Sequence, residues 1–545
     1  MNEYSARRTT TSAGVGRRMA QLALRSTACL LCLGLAAARL PAEPILVSPQ
    51  QPDLSVPPSL TVQDGALALS LEDAKAIALE RNLGLVVERF AQEQAELEIL
   101  QSKGIYDLFT TADFQKLSDT SPAASNLDGA LVQEFELMDV DLGLEQLVST
   151  GGRVRFDWDN NEQKTNSLFA TLNPAYRIDM DLTFIQPLLR NRGKLATNRN
   201  LLIAQTNRGI SRETFELQVT RVILDVEGAY WNLAESIAQF EVAEESLDLA
   251  KQLHEQNMIR VEVGTLAPLE LVQSEAGVAS REVEIIRARA AIGDRSDVLR
   301  QLMNLERDED LWELPIVPTS DPFEQPETVG LDEAIEIALE NRPELRQQEL
   351  ALQNRQVDVD YFKNQRKARL DFAGTYGLNG VGGDITDPEF PSDGDYLDAM
   401  DQILDADFDG WRVALNFAFP IQNRTAKANS AIADVNFDRA LAVQKDVELG
   451  VITEVRRVAR ALGASLEAVE SAEVSRRLQE RNYEAEQKRY DNGMSTSFQV
   501  LQIQEDLTQA RSQYVDAVAA YRRALALHYQ SIGKLIEESG VEIID

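Results

Sequence analysis

Twice along this chain the spacing of the apolar residues changes from threes and fours to strict alternation and back again. Each half must therefore hold both amphipathic helices and two-faced strands. In the first half Ile178, Met180, Leu182 and Phe184 alternate with Arg177, Asp179, Asp181 and Thr183, and Pro187 ends the run. In the second, Trp411, Val413, Leu415, Phe417 and Phe419 alternate with Arg412, Ala414, Asn416 and Ala418 until Pro420. Residues 107–114 and 369–378 supply earlier partner strands, and the first half adds 140–146 and 154–158. A soluble β-sandwich could use such strands, but the helices on either side leave few residues for a second sheet. A membrane barrel takes one apolar and one polar face directly, with lipid outside and water inside.

The helices are long. No proline occurs from residue 188 to 267 or after residue 420. Residues 196–257 and 426–488 carry apolar side chains at helical spacing, as at Phe215, Val219, Val222, Val226 and Tyr230. About 60 residues at about 1.5 Å each give roughly 90 Å of helix, more than an ordinary globular core can cover. Each helix turns at Gly264 or Gly493 and returns as 269–305 or 498–532. An antiparallel coiled coil acting as a plain spacer is the alternative reading.

The chain also repeats. Leu71-Glu-Asp-Ala-Lys-Ala-Ile-Ala-Leu-Glu-Arg-Asn82 returns as Leu331-Asp-Glu-Ala-Ile-Glu-Ile-Ala-Leu-Glu-Asn-Arg342, and Arg260-Val-Glu-Val-Gly264 is matched by Arg489-Tyr-Asp-Asn-Gly493. Two copies of one unit account for both. The expected organisation is a signal peptide at 1–42, an N-terminal extension at 43–68, a first repeat at 69–305, a linker at 306–329, a second repeat at 330–536 and a tail at 537–545. The signal reading rests on Arg7, Arg8, Arg17, Arg18 and Arg25 ahead of the apolar run 28–38 and the small residue Ala42. That run is shorter than the ~20 residues a spanning helix needs.

Cys29 and Cys32 would leave with the signal peptide. Its removal takes away six Arg and one Glu, so the formal charge goes from −34 to −39. Such acidity opposes binding to phosphate backbones, and nucleic acid is excluded as a partner. His254 and His528 are the only histidines. Neither has a ligand at metal spacing, both read as packing or surface residues, and neither Gly-x-Ser-x-Gly nor His-Glu-x-x-His occurs. We therefore expect no enzyme activity, no catalytic residues, no metal and no cofactor.

The duplicated Leu-x-x-Ala-x-x-Ile-Ala-Leu-Glu opening, Gln186-Pro187-Leu188-Leu189, Ala229-Tyr230-Trp231-Asn232-Leu233 and the paired Arg-x-x-x-Gly tips resemble those of TolC-like outer-membrane efflux proteins over residues 69–536. The resemblance implies a fold that is mainly α with β: an outer-membrane β-barrel continued by a long periplasmic α-helical barrel, two structural repeats per protomer, in a homotrimer. It implies a passive exit duct of a tripartite efflux or type I secretion system. The location implied is the outer membrane of a Gram-negative-type cell, with a helical domain in the periplasm. The implied partners are outer-membrane lipid, a periplasmic adaptor protein and an inner-membrane transporter.

For site residues the resemblance implies a periplasmic gate at Glu270, Gln273, Tyr490, Gln499 and Gln502. In the family the second-copy positions are usually aspartates, so Gln499 and Gln502 depart from the pattern. Tyr490 sits where a tyrosine ties neighbouring hairpins, with Glu270 as its expected partner. The tips expected to dock the adaptor are Arg260, Gly264, Thr265, Leu266, Arg489, Gly493, Met494 and Ser495.

Four strands cannot close a barrel alone, because the smallest membrane barrels need about eight, whereas three copies of four make twelve. For the pair at 140–158, either Ser149-Thr150-Gly151-Gly152 is a periplasmic turn adding two strands per copy, or the pair folds as a hairpin outside the barrel. The strand count favours the second. The acidic run 379–410 holds Asp405, Asp407 and Asp409 at calcium-loop spacing, but Asn416 stands where the closing acid belongs, so it reads as a solvated loop.

Overall fold

The computed structural model describes residues 61–63, 65–123, 129–305, 312–322, 330–386 and 394–541. The expected signal peptide, most of the N-terminal extension, the ends of the linker and residues 542–545 lie outside the described residues.

The short strands β1 (Thr61–Gln63) and β2 (Ala66–Leu69) lead into helices α1 (Leu71–Arg81) and α2 (Leu83–Lys103). Ser70 caps α1 by accepting from the Asp73 amide, and Asn82 caps α2 by accepting from Gly84. Strands β3 (Phe109–Pro122), β4 (Val132–Leu147), β5 (Arg153–Thr165) and β6 (Leu172–Pro187) follow. Then come the hairpin helices α3 (Arg199–Glu262) and α4 (Pro268–Leu302), followed by β7 (Ile316–Pro318). The second half runs α5 (Leu331–Asn341), α6 (Pro343–Gln365), β8 (Arg369–Ile385), α7 (Tyr396–Leu404), β9 (Asp409–Ala418), α8 (Arg424–Asp491) and α9 (Ser497–Ser531). At 64 and 68 residues, α3 and α8 each span about 100 Å.

Six strands form one antiparallel sheet in the order β3-β4-β5-β6-β8-β9. This corrects the expectation that 140–158 folds as a hairpin outside the barrel strands. β4 pairs with β3 from Phe109↔Glu145 to Pro122↔Val132, and β5 pairs with β6 from Arg153↔Ile185 to Gln163↔Ala175, so the pair is inserted between β3 and β6. Its turn is pinned at the helix junction, where Gly193 N donates to Thr150 O at 2.9 Å and Thr150 Oγ1 to Gln186 Oε1 at 2.8 Å. Strand-count reasoning failed because it took twelve as the target, whereas backbone pairing decides membership of a sheet.

The register sorts the side chains by chemistry. One cross-strand row reads Leu144, Phe156, Leu182, Tyr376 and Trp411. Leu144, Leu182, Tyr376 and Trp411 are all exposed in the single chain. Three residues along, on the opposite face, the row reads Asp113, Asp141, Asp159, Asp179 and Asn379. Like charges directly opposite one another destabilise a sheet, so this face is tolerable only against water, whereas the other is apolar.

Helix α7 lies across the apolar face, with Ala399 and Ile403 buried against Ile178. The approach needs glycine: a Cβ on Gly380 would fall 2.1 Å from Ala399 O, and one on Gly382 2.3 Å from Asp395 O. Asp395 and Asp398 form a capping box that starts it. The solvated-loop reading of 379–410 missed this helix, whose nine residues are too few for periodicity to stand out among the acids. Residues 387–393 of that run lie outside the described residues.

The core sits halfway along α3, where Val219, Val222, Ile223, Val226 and Leu233 pack against α1, β2 and Ile316 of β7. Tyr230 is fully buried there; its hydroxyl donates to Leu69 O at 3.0 Å and accepts from the amides of Thr319 and Ser320 at 3.0 and 2.9 Å. A smaller cluster packs α5 on α8 through Ala334, Ala338, Val451, Val455 and Ile532. On the strand side of these cores the helices lie side by side as α2-α3-α6-α8, and on the other side as α4-α3-α9-α8. Ion pairs cross the seams, as Arg346 to Glu213 and Glu216 at 2.6 and 2.7 Å and Arg523 to Glu235 at 2.5 Å.

Candidate functional site at the hairpin tips

Both hairpin turns are built alike. After α3, Gly264 has φ +80, its amide donates to Val261 O at 3.0 Å, and the Thr265 amide donates to Arg260 O at 2.8 Å. After α8, Gly493 has φ +72, with Gly493 N to Tyr490 O at 3.0 Å and Met494 N to Arg489 O at 2.8 Å. This is a Schellman cap, in which the residue four before the glycine supplies the outermost carbonyl. The Arg-x-x-x-Gly repeat is therefore a helix-ending signal, and the glycine is needed for its left-handed backbone.

The two hairpins are tied together by side chains. Arg260 stacks on the Tyr490 ring, 4.2 Å from its centroid, donates to Tyr490 O at 3.1 Å and pairs with Asp491 at 3.7 Å. The Tyr490 hydroxyl donates to Oδ1 of Asn257 on α3. This bond joins α8 to α3 of the same chain, and sequence reasoning missed Asn257. Burial pushes the Tyr490 hydroxyl above the ordinary phenol range against the opposing pull of Arg260, so it stays a donor.

Glu270, the expected partner, faces elsewhere. It accepts from Ser497 Oγ at 2.6 Å and from the Ser497 amide at 3.4 Å. Its carboxylate thus sits at the N-terminus of α9, where the free amides of the first turn favour negative charge. Thr496 caps the same helix by accepting from the Gln499 amide at 3.3 Å. Gln499, Gln502 and Gln273 are exposed; the Gln502 amide reaches Asp506 Oδ1 at 3.5 Å. The predicted gate set is therefore split. Glu270 and Tyr490 each bridge the two hairpins through separate bonds, while the three glutamines remain on the surface of the single chain.

The tip residues divide similarly. Ser495 donates to Glu486, which is buried and also pairs with Arg489 at 2.9 Å, so these two hold the second turn in shape. Leu266 is half-buried; Thr265 and Met494 are exposed. Beside them Val263, Leu269 and Phe498 are 67%, 67% and 61% exposed. Sequence reading passed over these three; their signal was their place next to the tip glycines rather than any motif. His254 packs between α3 and α4, with Nδ1 3.0 Å from Ser274 Oγ.

A family model described as "Outer membrane efflux protein" matches residues 157–305 and 334–534. Among solved structures, the Campylobacter jejuni CmeC outer membrane channel superposes with a TM-score of 0.60 at 16% identity, covering 87% of this chain and 90% of that one. The outer membrane protein VceC of Vibrio cholerae gives 0.59 at 12% identity, covering 85% and 96%. The outer-membrane channel OprN gives 0.62 at 15% identity, covering 85% and 90%. At such identities the likeness is one of fold. No curated protein matches the chain significantly.

Proposed function

The chain belongs to the outer membrane efflux protein family, and from that premise we propose that it is the passive exit duct of a tripartite efflux or type I secretion system. Family members are channels rather than enzymes. In this reading three copies close one barrel in the outer membrane, and the two repeats of each copy contribute hairpins to one periplasmic helical barrel. The tips at Thr265, Leu266 and Met494, with Val263, Leu269 and Phe498 beside them, dock a periplasmic adaptor, which in turn engages the inner-membrane transporter.

The observation that carries the proposal is the sheet, with one apolar face and one lined by Asp113, Asp141, Asp159 and Asp179, joined directly to helices of about 100 Å. A periplasmic spacer has no use for an exposed row such as Leu144, Leu182, Tyr376 and Trp411. A membrane barrel needs it, since lipid can satisfy apolar side chains but not backbone amides.

The gate follows from the same reading. Tyr490 with Asn257, and Arg260 with Tyr490 and Asp491, hold the two hairpins of a copy together, while Gln499 and Gln502 line the narrow inner end. The duct is tested by fractionation and transport. The full-length protein should be recovered from outer membranes as a heat-modifiable trimer and restore export to a cell lacking its own duct. Recovery only as a soluble periplasmic protein would overturn it.

A further inference from the structure

We infer that the assembled barrel has eighteen strands, six from each copy, and that the β4–β5 hairpin is an insertion that widens the pore. The inference rests on the duct reading and adds the size of its opening. Four of the six strands continue helices: β3 follows α2, β6 precedes α3, β8 follows α6 and β9 precedes α8. Their order in the sheet, β3-β6-β8-β9, is that of the helices beneath them, α2-α3-α6-α8. Only β4 and β5 lack a helix. They stand between β3 and β6, paired along almost their full length on both sides.

The hairpin carries the face pattern of a barrel wall rather than of a plug. Leu142, Leu144, Phe156 and Trp158 continue the apolar rows of β6, while Asp139, Asp141, Asp157 and Asp159 continue the polar ones. Removing it from the wall would leave those rows in the wrong solvent.

The widths agree. Strands about 4.8 Å apart and tilted about 40° each take roughly 6 Å of circumference, so six take about 38 Å and four about 25 Å. Four helices side by side, at about 9–10 Å, take about 36–40 Å. With the hairpin in place the strand arc of one copy matches its helix arc.

The occupant of the two free edges is a second copy of this chain. β3 and β9 each pair on one side only, and both bear residues of the apolar belt, Phe114 on one and Val413, Leu415 and Phe417 on the other, all exposed. Unpaired amides cannot stand in lipid, so β9 of one copy pairs with β3 of the next until the ring closes. Barrel diameter grows roughly linearly with strand number, so eighteen strands open a barrel about one and a half times as wide as twelve.

The test uses full-length trimers isolated from outer membranes. A Phe156→Cys/Leu182→Cys pair, facing residues of β5 and β6, should oxidise within one chain. Cysteines at Thr110, Ala112 or Phe114, scanned against Val413→Cys, should link separate chains into dimers and trimers. Trimers in which 156 and 182 do not join, or in which Ala112→Cys joins Leu182→Cys within one chain, would mean a twelve-stranded wall and overturn the inference. Strand counting in electron-microscopic images of the unmodified trimer gives the same decision without substitutions, eighteen supporting and twelve overturning. Absence of the unmodified trimer from the outer membrane would instead sink the duct reading itself.

Discussion

The Tyr490 hydroxyl donates its hydrogen bond to Oδ1 of Asn257 across the two hairpins, and both residues are 1% exposed or less. Tyr490→Phe leaves that oxygen buried without this donor, at a cost of about 1–3 kcal/mol. The ring still packs between Leu253 and Val500, so the trimer should assemble normally. Its single-channel conductance should rise, because the stacked Arg260 would be left to hold the tips. Because burial raises the Tyr490 pKa, its hydroxyl remains protonated through neutral and mildly alkaline pH. The wild-type conductance should then not rise between about pH 6 and 9 from loss of that bond. Equal conductance of wild type and Tyr490→Phe would show that the bond does not close the pore.

Orientation of the sheet is tested on adjacent residues. Leu415 lies in the row with Phe372, and Asn416 in the opposite one with Asp371. Leu415→Arg should cost about 2–4 kcal/mol if it lies near mid-bilayer and reduce the amount of assembled trimer, whereas Asn416→Arg, facing water beside Asp371, should assemble normally. The heat-modifiable band on gels measures both, and equal tolerance would refute the assignment of faces.

At the tips, a Cβ on Gly264 or Gly493 would meet nothing within 4 Å, yet both residues sit at positive φ. The penalty for a substitution is therefore conformational, about 1–2 kcal/mol for a residue other than glycine or asparagine. Gly264→Asn and Gly493→Asn should export normally. Gly264→Val or Gly493→Val should distort the turn, abolish adaptor crosslinking and leave trimers in the outer membrane. Normal crosslinking of the valine variants would remove the tips from the docking surface.

His528 gives the helical region an acid limit. Burial lowers its pKa below the ordinary 6.5, so the unfolded chain takes up a proton that the folded one resists. The stability this contributes is present above about pH 6.5 and is lost as pH falls through the lower folded value. Thermal unfolding followed by helical circular dichroism should shift down between about pH 7.5 and 5.5, and His528→Gln should reduce that shift. An identical shift in the variant would assign it to other groups.

What the sequence made legible followed from how each element is encoded. The helices read from 196–257 and 426–488 are Arg199–Glu262 and Arg424–Asp491, within a few residues at each end, because long amphipathic stripes and the absence of proline encode them redundantly. The strands were found but read short: β3 runs to Pro122 and β8 to Ile385, because β3 turns polar beyond Leu117 and β8 turns to the glycines on which α7 lies. Membership of β4 and β5 in the sheet could not be read, since register is a relation between strands rather than a property of one. Gly264 and Gly493 were legible because a Schellman turn depends on a single residue. Asn257 and Ser497 were not, because a bond between hairpins more than 200 residues apart leaves no local pattern.

The gate prediction changes with Glu270 in place. Its carboxylate is bound by Ser497 at the first turn of α9, two residues before Gln499. With Gln499 and Gln502 exposed on that helix, a three-fold constriction there would present six neutral amides, and Glu270, committed to Ser497, would add little free charge to it. A carboxylate ring in a narrow pore concentrates cations because low-dielectric walls focus its field, which an amide ring without net charge cannot do. Multivalent cations added from the periplasmic side should therefore block wild-type trimers in planar bilayers only weakly. The Gln499→Asp/Gln502→Asp variant should be blocked strongly, with relief as pH falls, because clustered carboxylates share protons at raised pKa. Gln499→Asp adds its charge beside the α9 N-terminus, where it is favoured, so this variant should fold and form trimers. If such trimers show unchanged cation block, the two positions do not face the pore.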